Sequence, residues 1–217
     1  RMMDNKRVTI RGPHSLGKTC LESLLIIWFS LTRDAAEEDW KVITTASAWR
    51  QLTKYLWPEV HKWARRIKWA KVGRRPFDLK SELTSMALKL RYGEAFAVAS
   101  SVPELIEGAH ADCLFYVFDE AKIISPETFN AAEGAFAGEG EAYGIACSTP
   151  GEPSGRFYDM HARRPGYEDW DVMHVTLSQV ISAGRVSQEW ADQRRAQWGA
   201  TSAVYANRVL GEFAVSE

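Results

Sequence analysis

The spacing of apolar residues divides the chain into short strands and longer helices. Residues 6–11 alternate between polar and β-branched side chains, which predicts a strand that runs into a glycine-containing loop. Residues 18–31 are rich in Leu and Ile, which predicts a helix after that loop. Residues 113–118 are all apolar and do not alternate, which is typical of a central strand buried on both faces.

The remaining pattern predicts strands that alternate with helices. Ser47 is positioned to cap a helix that Pro58 limits or kinks, and Ser125-Pro126-Glu127 favours another helix start. The last forty residues favour helix, and Trp190 and Trp198 lie on one side of it. Further strands are predicted over 41–46, 86–90, 95–100, 141–147 and 172–177. This alternation predicts an α/β fold, in which helices flank a mostly parallel central sheet in three layers.

The segment after the first predicted strand matches the phosphate-binding P-loop, Gly-x4-Gly-Lys-Thr. Glycines let successive backbone N–H groups face a phosphate, and the following helix adds its positive end. Lys18 is expected to reach the β- and γ-phosphates, and the Thr19 hydroxyl to bind Mg2+. The alternative is an ordinary glycine turn. The predicted ATP-binding residues are Gly12, Pro13, His14, Ser15, Leu16, Gly17, Lys18, Thr19 and Cys20.

An acid pair, Asp119-Glu120, closes the buried apolar strand about 100 residues after the P-loop. Ligands of α/β sheets bind at the carboxyl ends of the parallel strands, where these acids are expected to lie. Asp119 is expected to bind Mg2+ through water, and Glu120 to polarise the water that attacks the nucleotide. The alternative is an acidic turn after a strand.

Composition limits the classes of function. A chain of 217 residues, 46% of them hydrophobic, is sufficient for one compact domain with a core. Because 27 Lys and Arg nearly balance 28 Asp and Glu, only a local patch could bind a polyanion. The longest apolar stretch, residues 24–29, is too short to span a bilayer. The three cysteines lack the spacing of a metal site, which favours buried reduced thiols in an intracellular protein.

One local patch is basic. No acid lies between Glu59 and Asp78, and this stretch interleaves basic residues with Trp63 and Trp69. Point charges of this kind bind DNA phosphates without sequence preference. The alternative is an amphipathic helix with a solvated basic face and Trp63 in the core. The candidate DNA-binding residues are Lys62, Arg65, Arg66 and Lys68.

Three further segments carry a family resemblance. They are Gly108-Ala109-His110-Ala111, the stretch from Ser148-Thr149-Pro150-Gly151 to Phe157-Tyr158, and the closing Arg208-Val209-Leu210-Gly211-Glu212-Phe213. With the P-loop and the acid pair, the sequence resembles the large terminase subunit of tailed bacteriophages over essentially its whole length. The resemblance implies an ASCE/RecA-like P-loop NTPase, with residues 1–217 as a single ATPase domain. In the family a nuclease domain follows the Leu-Gly-Glu-Phe ending, and that domain is expected to be absent here.

The resemblance also implies a function. ATP and Mg2+ are the expected cofactors of a motor that moves double-stranded DNA into a procapsid. The expected partners are DNA, the portal protein, the small terminase subunit and further copies of the chain in a ring, in the cytoplasm of the infected bacterial host. Ser148 and Thr149 correspond to the motif that couples hydrolysis to DNA movement.

Two positions depart from the family pattern. Many terminases carry an arginine inside the P-loop, whereas this loop has none and Arg11 lies just before it. Too little chain precedes Lys6 to contain the whole adenine-contacting segment. An arginine supplied by a ring neighbour could stabilise the γ-phosphate in trans, as arginine fingers do. The candidates are Arg91, Arg156, Arg163 and Arg164, of which Arg156 lies within the family motif.

Two other functions stay open at this point. A helicase of the Asp-Glu-x-x class would need a second RecA-like domain, for which this chain has no room. A nucleotide-gated DNA-binding module without turnover would not need the intact Lys18, Thr19, Asp119 and Glu120.

Overall fold

A computed structural model describes residues 2–138 and 140–215. Within them the chain forms two compact units. The first unit comprises the residues up to Lys18, Glu120–Pro126 and the residues from Ile145 on. The second unit comprises Thr19–Asp119 and Glu127–Gly144. The expectation of a single ATPase domain stays a prediction.

The described residues contain seven strands in one mostly parallel sheet, in the order β3-β4-β2-β5-β6-β1-β7. Parallel pairs join β1 to β7 and β2 to both β4 and β5, whereas β3 runs antiparallel to β4. The predicted α/β fold with a mostly parallel sheet and flanking helices is confirmed. The strands are β1 (Arg7–Arg11), β2 (Trp40–Ala46), β3 (Ala87–Lys89), β4 (Gly93–Ala99), β5 (Cys113–Asp119), β6 (Glu141–Ser148) and β7 (Trp170–His174).

Aromatic side chains form the core of the second unit around β5. Every residue of β5 is buried, as its unbroken apolar sequence predicts. The Phe29 ring lies 5.4 Å from that of Phe115, and the Phe118 ring stacks on Phe129 at 4.5 Å. In the register of β2 and β5, Asp119 lies opposite Ala46 at the carboxyl ends of both strands. This packing therefore fixes the position of the acid that follows the strand.

The helices that lie wholly or mainly in the second unit include the one that follows the P-loop. These helices are α2 (Lys18–Ala35), α3 (Trp49–Gln51), α4 (Trp57–Ala64), α5 (Trp69–Val72), α6 (Pro103–Glu107) and α7 (Pro126–Glu133). A π-helical turn, Leu52–Leu56, joins α3 to α4, and a 3-10 turn covers Gly134–Phe136. None of the helices within residues 2–138 and 140–215 combines the length and the hydropathy that a membrane crossing requires.

Short helices surround β1 and β7 in the first unit. They are α1 (Met2–Asn5), α8 (Gly155–His161), α9 (Leu177–Ser182), α10 (Gln188–Trp198) and α11 (Ala203–Tyr205), with a 3-10 turn at Ala121–Ile123 and a π-helical turn at Ala206–Leu210. Trp190 and Trp198 both pack on the buried Ala191, Tyr205 and Val209, as their spacing predicts. His161 on α8 forms a 3.0 Å hydrogen bond with Thr9 on β1. Side chains far apart in sequence thus build the unit.

Two predicted boundaries were wrong. The predicted cap Ser47 is not the N-cap, because α3 starts one residue later and its N-cap is Ala48, without a side-chain hydrogen bond. Pro58 is the second residue of α4, which follows the π-helical turn without a break, and the helix continues past it to Ala64. The last predicted strand ends at His174, because Thr176 and Gln179 form a capping box that starts α9.

Candidate nucleotide-binding site

The P-loop, between β1 and α2, contains two residues with positive φ that are separated by one residue with negative φ. Ser15 has a φ of +64° and Gly17 a φ of +98°. Such alternation turns successive N–H groups towards one point and forms a concave anion site, to which the start of α2 adds its positive end. Gly12 is closely packed: a Cβ there would lie 2.8 Å from Leu16 Cδ2 and 3.1 Å from the Val175 carbonyl oxygen, so both neighbours would have to shift. The loop therefore has a backbone suited to binding an anion, and its role as the ATP-binding loop stays a prediction.

The ammonium group of Lys18 contacts the turn that follows β6. Its Nζ donates to Thr149 Oγ1 at 3.0 Å and to the Pro13 carbonyl oxygen at 3.3 Å. Thr149 is 3% exposed, so the acceptor is shielded from bulk water. Both acceptors are neutral oxygens, and phosphate oxygens would compete with them well because charge-assisted hydrogen bonds are the stronger ones.

Glu120 has an uncommon backbone conformation directly after β5. Its φ and ψ of 50° and 49° place a side chain with a Cβ in the left-handed region, which is uncommon outside glycine and asparagine. The side chain accepts a 3.0 Å hydrogen bond from Ser148 Oγ. That hydroxyl also lies 2.9 Å from the Thr149 carbonyl oxygen. Because it has one proton, Ser148 donates fully to only one of these acceptors at a time.

Lys122 lies beside the same turn. Its Nζ is 3.5 Å from the Pro150 carbonyl oxygen, and its Cδ lies 3.5 Å from the position of a Cβ on Gly151. The side chain is half-buried. Burial lowers the pKa of Lys122; Glu120 opposes this effect, and the positive charges of Arg208 and Lys18 add to it. Sequence analysis gave no role to this lysine, although it stands only two residues after Glu120.

His14 contributes little charge to the loop. Its backbone N–H donates to the Arg208 carbonyl oxygen at 2.9 Å. Partial burial lowers its pKa, Lys18 and Arg208 lower it further, and Glu120 opposes them. The imidazole is therefore mainly neutral at pH 7. Lys18 supplies the positive charge within the loop itself.

Residues 206–214, which we call the closing segment, pack on both the P-loop and the turn after β6. Gly211 has a φ of +70°, and a Cβ there would lie 2.8 Å from Gly12 Cα. Asn207 Nδ2 and the Ala214 N–H donate to the Gly151 carbonyl oxygen at 3.0 Å and 3.1 Å. The sequence marked this segment only through its family resemblance, whereas the structure gives it direct contacts with the loop.

The ion pairs of the closing segment also account for Arg11. This arginine precedes the loop, and it forms a 3.0 Å salt bridge with Glu212 and lies over the Phe213 ring. His174 Nε2 lies 3.2 Å from the Leu210 carbonyl oxygen. Arg11 therefore anchors the closing segment.

The arginines that contact the loop differ from those singled out in the sequence. Arg156 donates to the Tyr167 hydroxyl at 2.5 Å and lies over its ring. Arg91 and Arg164 likewise lie over tyrosine rings, and Arg163 has a left-handed backbone with a φ of 51°. Arg185 Nε donates to the Ser15 carbonyl oxygen at 3.4 Å. No sequence signal connects Arg185 with a loop 170 residues away.

The predicted metal ligands are oxygen donors of the type that Mg2+ prefers. Asp119 is 2% exposed, and it ends β5 immediately before Glu120. Thr19 follows Lys18, and its carbonyl oxygen accepts a 2.6 Å hydrogen bond from Ser23. No cluster of three or more His, Cys, Asp or Glu in the described parts of the chain could bind a metal. One carboxylate and one hydroxyl fit an ion that takes its remaining ligands from phosphates and water.

The basic patch lies in the second unit, on α4 and the residues after it. Lys62 forms a 2.7 Å ion pair with Glu59, and Arg66 lies 5.4 Å from the centre of the Trp63 ring. Arg65, Arg66 and Lys68 are exposed. Trp63 is only half-buried and donates to Glu59, so it is not the core residue of the alternative interpretation. Three exposed cations, of which Arg66 lies beside the indole ring, leave positive charge available for contact to phosphates.

The sequence comparison finds a phage protein. The chain is 27% identical over 226 residues to a protein of Enterobacteria phage P7 described as "Probable terminase, large subunit". The match covers 99% of this chain and 44% of the relative, so the chain spans less than half of the relative's length. No protein-family model matches the chain.

The structure comparison finds large terminases. The large terminase of a thermophilic bacteriophage, solved in complex with ADP, matches with a TM-score of 0.71 and 16% identity over 99% of this chain and 50% of that one. A variant of the large terminase ATPase domain of Thermus phage P74-26 matches with a TM-score of 0.67 and 18% identity over 96% of this chain and 89% of that one. The resemblance predicted from the motifs is thus confirmed: this chain is a relative of a phage large terminase and has the fold of large terminase ATPase domains.

Proposed function

We propose that the chain hydrolyses ATP and that this reaction moves double-stranded DNA into a viral procapsid. The observation that carries the proposal is the pair Ser148-Thr149, in which consecutive hydroxyls contact Glu120 and Lys18. One turn thereby contacts both the side chain that would activate water and the side chain that would bind phosphate. The large terminase of the thermophilic bacteriophage, solved with ADP and with ATP-gamma-S, supports a nucleotide as the ligand.

Nucleotide binding would exchange the partners of Lys18. The N–H groups of the P-loop surround the β-phosphate, and Lys18 leaves Thr149 and Pro13 for the β- and γ-phosphate oxygens. Thr19, and Asp119 through water, would hold Mg2+, which when bound would neutralise charge on the phosphates. Thr149 then loses its charged partner, so the turn after β6 responds directly to the nucleotide.

Hydrolysis would exchange the partner of Glu120. The carboxylate accepts a hydrogen bond from a water, whose oxygen attacks the γ-phosphorus as the bond to the bridging oxygen breaks. The products are ADP and phosphate, and Glu120 takes the proton that the water releases. Meanwhile the Ser148 hydroxyl donates to the Thr149 carbonyl oxygen. This change gives Ser148 and Thr149 the coupling role that the resemblance implies.

The γ-phosphate also needs positive charge from outside the P-loop. A ring neighbour could supply Arg156 in trans, provided that its guanidinium leaves Tyr167. That role stays a prediction, and it would make turnover depend on assembly of the ring.

The DNA partner follows from the motor function. Arg65, Arg66 and Lys68 would contact backbone phosphates in a sequence-independent manner. Lys62 shares its charge with Glu59 and would contribute less. The portal protein, the small terminase subunit and a ring of copies complete the proposed machine in the host cytoplasm.

Phosphate release from ATP tests the proposal. We expect the wild-type chain, at high concentration with double-stranded DNA, to hydrolyse ATP. Glu120→Gln should lower turnover about 100-fold or more while the Kd for ATP changes less than threefold, because general base catalysis contributes about 10² to 10⁴ in rate. Glu104→Gln, an exposed acid on α6, is the matched control. Equal turnover of wild type and Glu120→Gln, or no turnover under any of these conditions, contradicts the proposal.

A further inference from the structure

The turn after β6 contacts a third charged side chain, which the proposed mechanism does not use. Three consecutive residues of the turn have one charged partner each: Ser148 contacts Glu120, Thr149 contacts Lys18, and Pro150 contacts Lys122. The first two partners would each act on the nucleotide. Lys122 is the one partner of the three to which the proposed mechanism gives no role.

The contact of Lys122 with Pro150 is weak. At 3.5 Å from the carbonyl oxygen, the ammonium is at the limit of hydrogen bonding, whereas Lys18 lies 3.0 Å from Thr149. A half-buried ammonium with such a long contact gains strongly from an anionic partner, because it has lost water without a short hydrogen bond in return. Lys122 is therefore poised to exchange its neutral acceptor for a charged one.

The local backbone positions this side chain. Glu120 starts a 3-10 turn in which the Ile123 N–H donates to the Glu120 carbonyl oxygen, and the buried Ala121 anchors the turn. Lys122 is consequently fixed two residues from the carboxylate. Both side chains then contact neighbouring residues of one short segment, Ser148–Pro150.

The charge balance of the site points to a ligand with several negative charges. The positive charges of Lys18 and Arg208 and the negative charge of Glu120 all act on Lys122 and on His14. His14 is mainly neutral, for the reasons given above. Arg208 is exposed, whereas Lys122 is half-buried and contacts the same turn after β6 that Lys18 contacts. Lys122 is thus a candidate for an additional cation that binds a triphosphate.

We propose that Lys122 is a second phosphate-binding lysine of this site, which leaves Pro150 and contacts the terminal phosphate of a bound nucleoside triphosphate. It supplies in cis part of the positive charge that an arginine in the loop would otherwise provide. This inference rests on the proposed nucleotide site and extends it. Lys122 would then distinguish nucleotides with a γ-phosphate from those without one. The turn after β6 would lose its contact with Lys122 as well as those with Lys18 and Glu120.

Nucleotide affinity tests this role. The Kd values for ATP-gamma-S and for ADP are measured with Mg2+ for the wild type and for Lys122→Met. We expect Lys122→Met to weaken ATP-gamma-S binding about 10-fold or more and ADP binding less than twofold, because ADP lacks the terminal phosphate. Lys122→Arg should recover most of the preference for the triphosphate. Lys6→Met, at an exposed lysine of the same unit, should leave both constants unchanged.

A further variant separates this inference from the proposed function. Lys18→Ala should abolish binding of both nucleotides, and retained binding would overturn the nucleotide site itself. Suppose that Lys18→Ala abolishes binding, whereas Lys122→Met weakens the binding of ATP-gamma-S and ADP equally or leaves both unchanged. The proposed role of Lys122 is then wrong, but the proposed nucleotide site is retained. If the thermal midpoint of Lys122→Met is unchanged, its weaker nucleotide binding comes from a lost contact with the nucleotide and not from unfolding. A purely structural role of Lys122 would also leave the ratio of the ATP-gamma-S and ADP Kd values unaltered.

Discussion

Gly211 contacts the P-loop backbone, and a single methyl group tests that contact. In Gly211→Ala the new Cβ would lie 2.8 Å from Gly12 Cα, 2.9 Å from the Gly12 carbonyl carbon and 3.0 Å from Pro13 Cδ. Two of these atoms belong to the backbone and the third to a proline ring, so no flexible side chain can move aside. Either the closing segment or the loop must shift.

The cost has two parts that a second glycine separates. Left-handed backbone costs a residue with a Cβ about 1 kcal/mol relative to glycine. Overpacking in a well-packed region costs a further 1–3 kcal/mol or so. Gly184 has nearly the same φ, +67° against +70°, but nothing lies within 4 Å of its Cβ position. Gly184→Ala should therefore lose about 1 kcal/mol of unfolding free energy, and Gly211→Ala about 2–4 kcal/mol.

Denaturant unfolding and nucleotide titration measure the two effects. The urea midpoint of Gly211→Ala should fall clearly below that of Gly184→Ala. Its Kd for ATP should also rise several-fold, because the displaced atoms belong to the first residues of the P-loop. Equal midpoints and equal Kd values in the two variants would refute the reasoning, since they would show that the closing segment yields without disturbing the loop.

Two further predictions concern pH and DNA. Burial, with smaller contributions from Arg11 and His174, lowers the pKa of His161 to about 3, so below pH 6.5 the unfolded chain binds a proton that the folded chain does not. Stability should therefore fall from pH 6.5 towards pH 4.5 by at most about 1.4 kcal/mol per pH unit, and His161→Gln should flatten this part of the denaturation profile; an unchanged slope would contradict the assignment. The double variant Arg65→Glu/Arg66→Glu should reduce by about two the slope of the logarithm of DNA affinity against the logarithm of salt concentration. Glu substitution of Arg163, an exposed arginine outside the basic patch, should leave that slope unaltered, and an equal effect at both places would remove the patch from the DNA interface.

Local patterns predicted much of the fold. The apolar run of β5 and the glycine spacing of the P-loop are short-range features, in which each residue constrains its neighbours. Boundaries were less certain where side-chain caps decide them: Thr176 and Gln179 start a helix within a stretch whose apolar residues favour a strand. Such competition between a cap and a hydrophobic pattern is settled by tertiary packing.

Contacts between distant residues lay beyond prediction. The P-loop sequence indicates that Lys18 binds phosphate, but nothing in it indicates that Thr149 contacts Lys18 from 131 residues away. Arg185 and Lys122 have no distinguishing sequence context, so only the arrangement of the chain in space places them beside the loop and the turn. Lysines and arginines are numerous on any protein surface. The role of each one depends on the groups that surround it in the folded chain, which the sequence does not reveal.

The closing segment bears on where the structural boundary of this fold lies. A boundary drawn at the last helical residue, Leu210, would omit Gly211, the Arg11 partner Glu212, and the Ala214 N–H that contacts Gly151. A fragment that stopped at Leu210 would keep every helix and strand of the described residues. It would nevertheless lose the contacts that residues 211–214 make with the P-loop and with Gly151. The contacts that hold the P-loop and the turn after β6 therefore extend along the chain to Ala214.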